Sequence, residues 1–418
     1  MTRGSELLTS KSGPLSERRA LGLDYSLRTR TGPDVRPERN LGSYTTTWPL
    51  PEVQAIASLF YDTNLVNRAE YPTIAEIERE CLGMLGTLWH RPGGTPAGCS
   101  TTGSTEAALL AGLALLRSWQ QRTTGAGRPN LVLGAGAHSC WYRFCRYWDV
   151  ECRTVPGGAD GVSVLPEAIA DRCDADTIGA VATLGGPEVG RYDPVDRIAD
   201  ALDALEDRTG TSVPLHVDAA SGGFVAPFRR PELRWDFELP RVTSINASGH
   251  KFGMTSLGVG WLLWRAPTDC DPALLHSAAY IGDGQPQIGL SFSRTAAPVL
   301  QQHYLLTYLG HGGYRRALDH CAGVADAVAS VLARAPGLRL LNPGLDLPVV
   351  SFQDRGTDAP CVERLREAMR RRGWYLPAYR LLADPARGTA SRIVIRPGFP
   401  GPAVPGLLAD LSAAVGDL

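Results

Sequence analysis

Lys251 stands in the run Ser248-Gly249-His250-Lys251-Phe252-Gly253 and is one of only two lysines, with Lys11, among 42 basic residues. An amine can form a Schiff base with a carbonyl, whereas a guanidinium cannot. A chain that writes nearly every positive charge as arginine has a specific use for an amine kept behind a histidine and between glycines.

Three further groups complement that amine. Thr102-Gly103-Ser104-Thr105-Glu106 leads into an apolar helical run from Ala107 to Leu116. Hydroxyls and free backbone N–H groups at a helix start make a phosphate cradle, although Ser and Thr are equally ordinary as plain helix caps. In His216-Val217-Asp218-Ala219-Ala220 an apolar run ends on an aspartate followed by small residues. A carboxylate there can pair with a protonated pyridine nitrogen and keep the ring cationic; a metal ligand or a helix cap is the alternative. His138, in Ala137-His138-Ser139-Cys140-Trp141, can stack on an aromatic cofactor, while a lone histidine is more often structural. Together, a phosphate cradle, an acid at a strand end and a lysine make a site for pyridoxal 5'-phosphate. A nucleotide loop at Gly134-Ala135-Gly136 lacks the third glycine at the required spacing.

These groups need a framework that brings them together. Leu131–Leu133, Ile178–Leu184, Pro214–Val217 and Gly258–Trp264 read as strands, and Ser104–Trp119 and Asp193–Glu206 read as helices. Strands alternating with helices imply an α/β fold with a mostly parallel sheet covered on both faces, which binds ligands at the carboxyl ends of its strands. Upstream, Pro51–Leu65 and Thr73–Trp89 have helical spacing. Downstream, helical patterns over Ala296–Tyr308 and Tyr314–Ala335 stop at Pro336-Gly337. A strand, a helix near Cys361–Arg372 and a strand at Arg392–Arg396 then suggest a small C-terminal α/β lobe. The expected division is an N-terminal segment 1–50, a large domain 51–310 and a small domain 311–418.

Composition narrows the function classes. A net charge of -1 over 418 residues gives no footprint for nucleic acid or an anionic membrane. Met1–Leu15 has no secretory apolar stretch, and no run approaches the length of a membrane span, so a cytoplasmic location is expected. The nine cysteines form no metal-spaced pair and read as reduced and mostly buried, and no metal site is expected.

The same residues resemble the pyridoxal-phosphate-dependent group II decarboxylases, and within them glutamate decarboxylase, from about Asn40 to Phe399. The most specific stretches are Glu70-Tyr71-Pro72, the run 146–151 (RYWDVE), His216–Pro227 and Trp235–Trp264. The resemblance implies a fold-type-I, aspartate aminotransferase-like enzyme that decarboxylates an L-amino acid. It makes Lys251 the Schiff-base lysine and Asp218 the partner of the pyridine nitrogen. Ser104, Thr105, Ser248 and His250 would bind phosphate, with Ser293 supplied by a neighbouring subunit. Ala220 and His138 would lie against the ring. Arg392 matches the arginine that receives the α-carboxylate, a bidentate task suited to a planar guanidinium. Tyr280, on the loop that closes in the family, is the candidate proton donor to the substrate carbon. Ser43, Tyr44, Asn64 and Asn67 match the pocket for a distal carboxylate.

Two departures fall around the substrate. Val189 stands where the family has a threonine, so a hydroxyl is missing, and Asn67 stands where the family has an acid. An amide can donate to a carboxylate without first taking up a proton, so a dicarboxylic substrate remains compatible. The expected activity is decarboxylation of L-glutamate, or a close polar analogue, by a homodimer or larger homo-oligomer. The alternative is oxygen-dependent decarboxylation with deamination of another amino acid.

Overall fold

The computed structural model describes residues 36–94, 96–122, 127–158, 160–277, 280, 286–356, 360–384, 386 and 388–418. Residues 1–35 of the expected N-terminal segment, and 281–285 of the loop after Tyr280, lie outside that set. The span Leu41–Leu418 makes one unit, and Pro37–Arg39 before it is a single 3-10 turn.

A seven-stranded sheet is built from β1 (Ala97–Thr101), β2 (Asn130–Gly134), β3 (Glu151–Val155), β4 (Thr177–Thr183), β5 (Leu215–Asp218), β6 (Val242–Ser248) and β7 (Gly260–Trp264). Their order is β1-β7-β6-β5-β4-β2-β3. All neighbouring pairs are parallel except those of β7, which runs antiparallel to β1 and β6. Side chains alternate between two apolar layers. Leu131, Leu133, Ile178 and Leu262 face the layer of the helix Ser104–Arg122, whereas Val132, Ala180, Val217 and Leu263 face the layer of Trp89, Phe224 and Tyr314. Burial on both faces explains why β4 is apolar or small throughout and why the strands read as short continuous runs.

The helix Ala297–Leu332 follows, interrupted at Gly310 with φ 55° and ψ -171°. The two helical patterns of the sequence are therefore two helices in direct succession, joined at a kink whose backbone glycine permits. Beyond it, β8 (Leu338–Pro343), β9 (Val349–Asp354) and β10 (Ala390–Val394) form an antiparallel sheet in the order β10-β9-β8. Val350, Phe352 and Ile393 pack with Leu332, Leu365 and Leu411 in a core of their own. The first helix is shorter than its apolar spacing suggested, ending at Phe60, with Leu65 in the loop beyond. Among the described residues no helix is long and apolar enough to cross a membrane.

Segment 41–46 links the second sheet to the lysine loop. Val394 N donates to Leu41 O at 2.7 Å, and Thr46 N donates to His250 O at 2.8 Å. Thr46 Oγ1 also donates to Lys251 O at 3.2 Å. Ser43 and Tyr44 are thereby strung between β10, which carries Arg392, and Lys251.

Candidate active site

The carboxyl ends of β2, β4, β5 and β6 open on one cavity of about 410 Å³. Ser104, Thr105, His138, Asp218, Ala220, Ser248, His250 and Lys251 all line it, as do Glu106, Thr183, Pro187, Ser221 and Leu290. This is where an open α/β sheet places ligands, because strand ends leave backbone groups and loop side chains unpaired there.

Asp218 ends β5 and is buried. Its Oδ2 accepts from Trp141 Nε1 at 2.9 Å, and its Oδ1 accepts from Asn246 Nδ2 and Ala220 N, both at 3.1 Å. With its amide N–H₂ on the carboxylate, Asn246 turns Oδ1 to His216 Nε2 at 2.7 Å, and His216 Nδ1 meets Ser244 Oγ at 2.7 Å. His216 therefore carries its proton on Nε2 and is neutral; burial pushes its pKa down to about 4. The three donors fix the orientation of the Asp218 carboxyl group, an arrangement suited to pairing with a cationic pyridine.

At the other end of the cavity, Ser248 Oγ donates to Ser104 Oγ at 2.7 Å beside the start of the helix Ser104–Arg122. His250 Nδ1 is buried without a hydrogen-bond partner, and burial, with Lys251 adding to it, lowers its pKa to about 4. The backbone packs tightly beneath: a Cβ on Gly260 would lie 2.4 Å from the carbonyl carbon of Gly103. A neutral imidazole with an unused polar atom, two paired hydroxyls and a helix N-terminus fit a phosphate group. The residues present therefore suit pyridoxal 5'-phosphate, with its ring end toward Asp218.

Lys251 Nζ meets Ser221 Oγ at 3.3 Å and lies 5.4 Å from the Tyr44 ring centre. Its pKa is lowered by burial, against the Asp218 charge that raises it, which favours the nucleophilic amine. Arg392 lies 5.2 Å from the ring centres of both Tyr44 and Tyr379, and its Nε donates to Gly42 O at 3.2 Å. Tyr44 OH donates to Pro187 O at 3.1 Å and Tyr379 OH to Glu188 O at 2.5 Å, so both rings also hold the segment after β4. Burial raises the Tyr44 phenol to about 12.

His138 caps the helix Ser139–Tyr147, its Nδ1 accepting from Cys140 N at 3.2 Å. Burial lowers its pKa, leaving a neutral ring at the cavity wall. Val189 is buried, and its carbonyl accepts from Asn342 Nδ2 and Ser351 Oγ, both at 3.0 Å. Ser43, Tyr44, Asn64, Asn67, Tyr280, Ser293 and Arg392 are not among the residues lining the cavity. Asn64 Nδ2 donates to Ser293 Oγ at 3.4 Å, and Asn67 Nδ2 donates to Glu70 Oε2 at 3.0 Å. Tyr280 is 81% exposed and stacks on Phe292 with ring centres 6.4 Å apart.

Several residues of this site escaped the sequence reading. Ser244 and Asn246 alternate along β6 with Ile245 and Ala247, on the face that Ser248 continues, so a polar face inside a buried strand was a usable signal. Trp141, three positions after His138, and Glu106, inside the helix start, carried no comparable mark.

Residues 44–355 match the pyridoxal-dependent decarboxylase conserved domain. The chain is 38% identical over 390 residues to the glutamate decarboxylase of Aliivibrio fischeri, covering 91% of this chain and 84% of that one. It is 36% identical over 393 residues to glutamate decarboxylase 2 of Arabidopsis thaliana, covering 92% and 79%. The solved glutamate decarboxylase of Lactobacillus brevis superposes with a TM-score of 0.90 at 34% identity, over 98% of this chain and 94% of that one. An Oryza sativa structure described as TDC with PLP and tryptamine shares the fold, with a TM-score of 0.78 at 20% identity over 99% and 90%.

Proposed function

The chain belongs to the pyridoxal-dependent decarboxylases, fold-type-I enzymes that remove the carboxyl group of an amino acid, and from that premise we propose that its substrate is L-glutamate. The products are then 4-aminobutanoate and carbon dioxide. The observation that carries this reading is the length of the likeness to glutamate decarboxylases, 84% of the bacterial relative and 94% of the solved one. The same likeness does not favour the oxygen-dependent alternative.

Pyridoxal 5'-phosphate, when bound, supplies a conjugated cationic ring that takes up the electron pair of the broken Cα–carboxylate bond. In our reading Asp218 keeps the pyridine nitrogen protonated, while His138 and Ala220 confine the ring. Ser104, Thr105, Ser248 and His250 anchor the phosphate. Lys251 would hold the cofactor through its carbonyl, with burial keeping the amine available for that bond. Arg392, held between two tyrosine rings, receives the α-carboxylate and orients the bond to be broken. Tyr280 is the candidate to deliver a proton to Cα.

Ser43, Tyr44, Asn64 and Asn67 then meet the distal carboxylate. Residues near Ser43 and Ser293 would face the cofactor of a second subunit, so the reading includes a homodimer at least, working in the cytoplasm. It retains the division into 1–50, 51–310 and 311–418. The test is carbon dioxide release from L-glutamate by cofactor-loaded protein, with the amine identified by mass. Stoichiometric 4-aminobutanoate is expected. Release from another amino acid but not from glutamate would overturn the substrate assignment.

A further inference from the structure

Glu106 is a buried acid in the cavity wall with no part in the chemistry above. Each of its oxygens serves a different piece of chain. Oε2 accepts from Thr102 N and Thr102 Oγ1, both at 2.7 Å. Oε1 accepts from Leu290 N at 2.7 Å and Ser291 N at 2.9 Å. The first pair fixes the turn that leads into Gly103 and Ser104; the second fixes the segment whose Leu290 and Ser291 line the facing wall. Three of the four are backbone N–H groups that can only donate, and they meet both oxygens, so a carboxylate satisfies all of them; an amide would turn its N–H₂ toward at least one of these N–H groups, that of Thr102.

We propose that Glu106 is a positioning residue that ties the turn at Thr102 to the Leu290–Ser291 wall and so sets the width of the cofactor's phosphate end. The inference rests on the reading of this cavity as the cofactor site. It runs against simple electrostatics, because a carboxylate near a phosphate repels it. The four donors make that charge tolerable. Burial raises the Glu106 pKa, but the bonds from Thr102, Ser291 and Leu290 outweigh it, and the net displacement is downward. The residue stays ionised at neutral pH.

The opposition of charge and geometry gives a test whose sign decides. Glu106→Gln removes a negative charge, which alone would tighten binding of the phosphate. If position dominates, it instead weakens binding of pyridoxal 5'-phosphate by about tenfold, the scale of one lost charge-assisted bond. The readout is the dissociation constant of the cofactor for folded protein, by absorbance titration, with unfolding midpoints of the cofactor-free forms measured alongside. Tighter or unchanged binding by Glu106→Gln overturns the proposal. So does a drop in unfolding midpoint with an unchanged dissociation constant, which is what a purely structural role gives.

Thr102→Val keeps Glu106 and the backbone bonds but removes one exposed hydroxyl donor, and it decides the matter if Glu106→Gln does not fold. Binding about threefold weaker is expected, in keeping with a neutral donor lost at an exposed position. Unchanged or tighter binding again overturns the proposal. Lys251→Ala separates this inference from the site assignment beneath it. Cofactor absorbance unchanged in Lys251→Ala would remove the assignment itself, whereas unchanged binding in the Glu106 and Thr102 variants would remove only the inference.

Discussion

Trp141 donates its indole N–H to Asp218 Oδ2 at 2.9 Å across 77 residues of sequence, where Asn246 and Ala220 already occupy the other carboxylate oxygen. Its ring also meets His216 edge-on, with centres 5.0 Å apart. Trp141→Phe keeps an aromatic body but leaves Oδ2 without its donor. A hydrogen bond to a charged group contributes about 1.5–3 kcal/mol, so kcat falls about tenfold or more if the Asp218 charge steers the cofactor ring. KM for the amino acid changes little, because Arg392 is untouched. Steady-state kinetics on the loaded enzyme separate the two constants; unchanged kcat would remove Asp218 orientation from the mechanism.

The neutral His216 makes stability depend on pH. Its pKa is about 4 in the folded chain against an ordinary 6.5, so between those values the unfolded chain binds more protons. Stability from this group is fully present above pH 6.5 and is lost as pH falls to about 4. The loss is about 3 kcal/mol at most, at 1.36 kcal/mol per pH unit of displacement. Asp193 opposes it, since burial pushes its pKa up to about 7 and folding then favours its protonated form. The prediction is therefore a difference: His216→Gln gains stability relative to the parent as pH falls from 6.5 to 4. Urea unfolding at intervals over that range checks it, and parallel curves would contradict it.

Gly310 joins two helices within Ala297–Leu332 at φ 55° and ψ -171°, a backbone region almost confined to glycine. A Cβ there would meet nothing within 4 Å, so space is not the constraint. Gly310→Ala is expected to cost about 1–3 kcal/mol from backbone strain alone. Thermal unfolding should show a lower midpoint with the same cofactor affinity, since the break lies outside the residues lining the cavity.

The parts of this fold that were legible in the sequence are those where apolar residues carry the element alone. β2, β4, β5 and β7 were found because burial on both faces makes them short apolar runs. β1 was missed: Ala-Gly-Cys-Ser-Thr is small and polar, and its place in the sheet comes from pairing with β7, from Ala97 opposite Trp264 to Thr101 opposite Gly260. β6 was missed because Ser244 and Asn246 interrupt its apolar pattern, and these are the side chains that hold His216 and Asp218. Lys251, Asp218 and His250 stood out by type and by position at strand ends. Trp141 and Glu106 did not, because Asp218 lies 77 residues from Trp141, and Leu290 and Ser291 lie 184 and 185 residues from Glu106, so these partners meet only in the folded chain.

Arg392 offers the sharpest test of substrate orientation. Tyr44 and Tyr379 each lie 5.2 Å from its guanidinium carbon, and Gly42 O takes its Nε–H, so the side chain is held before any substrate arrives. Arg392→Lys keeps the charge but loses the planar fork that can grip both oxygens of a carboxylate. Loss of one charge-assisted bond predicts kcat/KM lower by about 10- to 100-fold for the amino acid. The amine product lacks the α-carboxylate, so its affinity as an inhibitor should not change. Equal weakening of substrate and product would mean that Arg392 shapes the pocket generally, whereas weakening confined to the substrate assigns it the carboxylate.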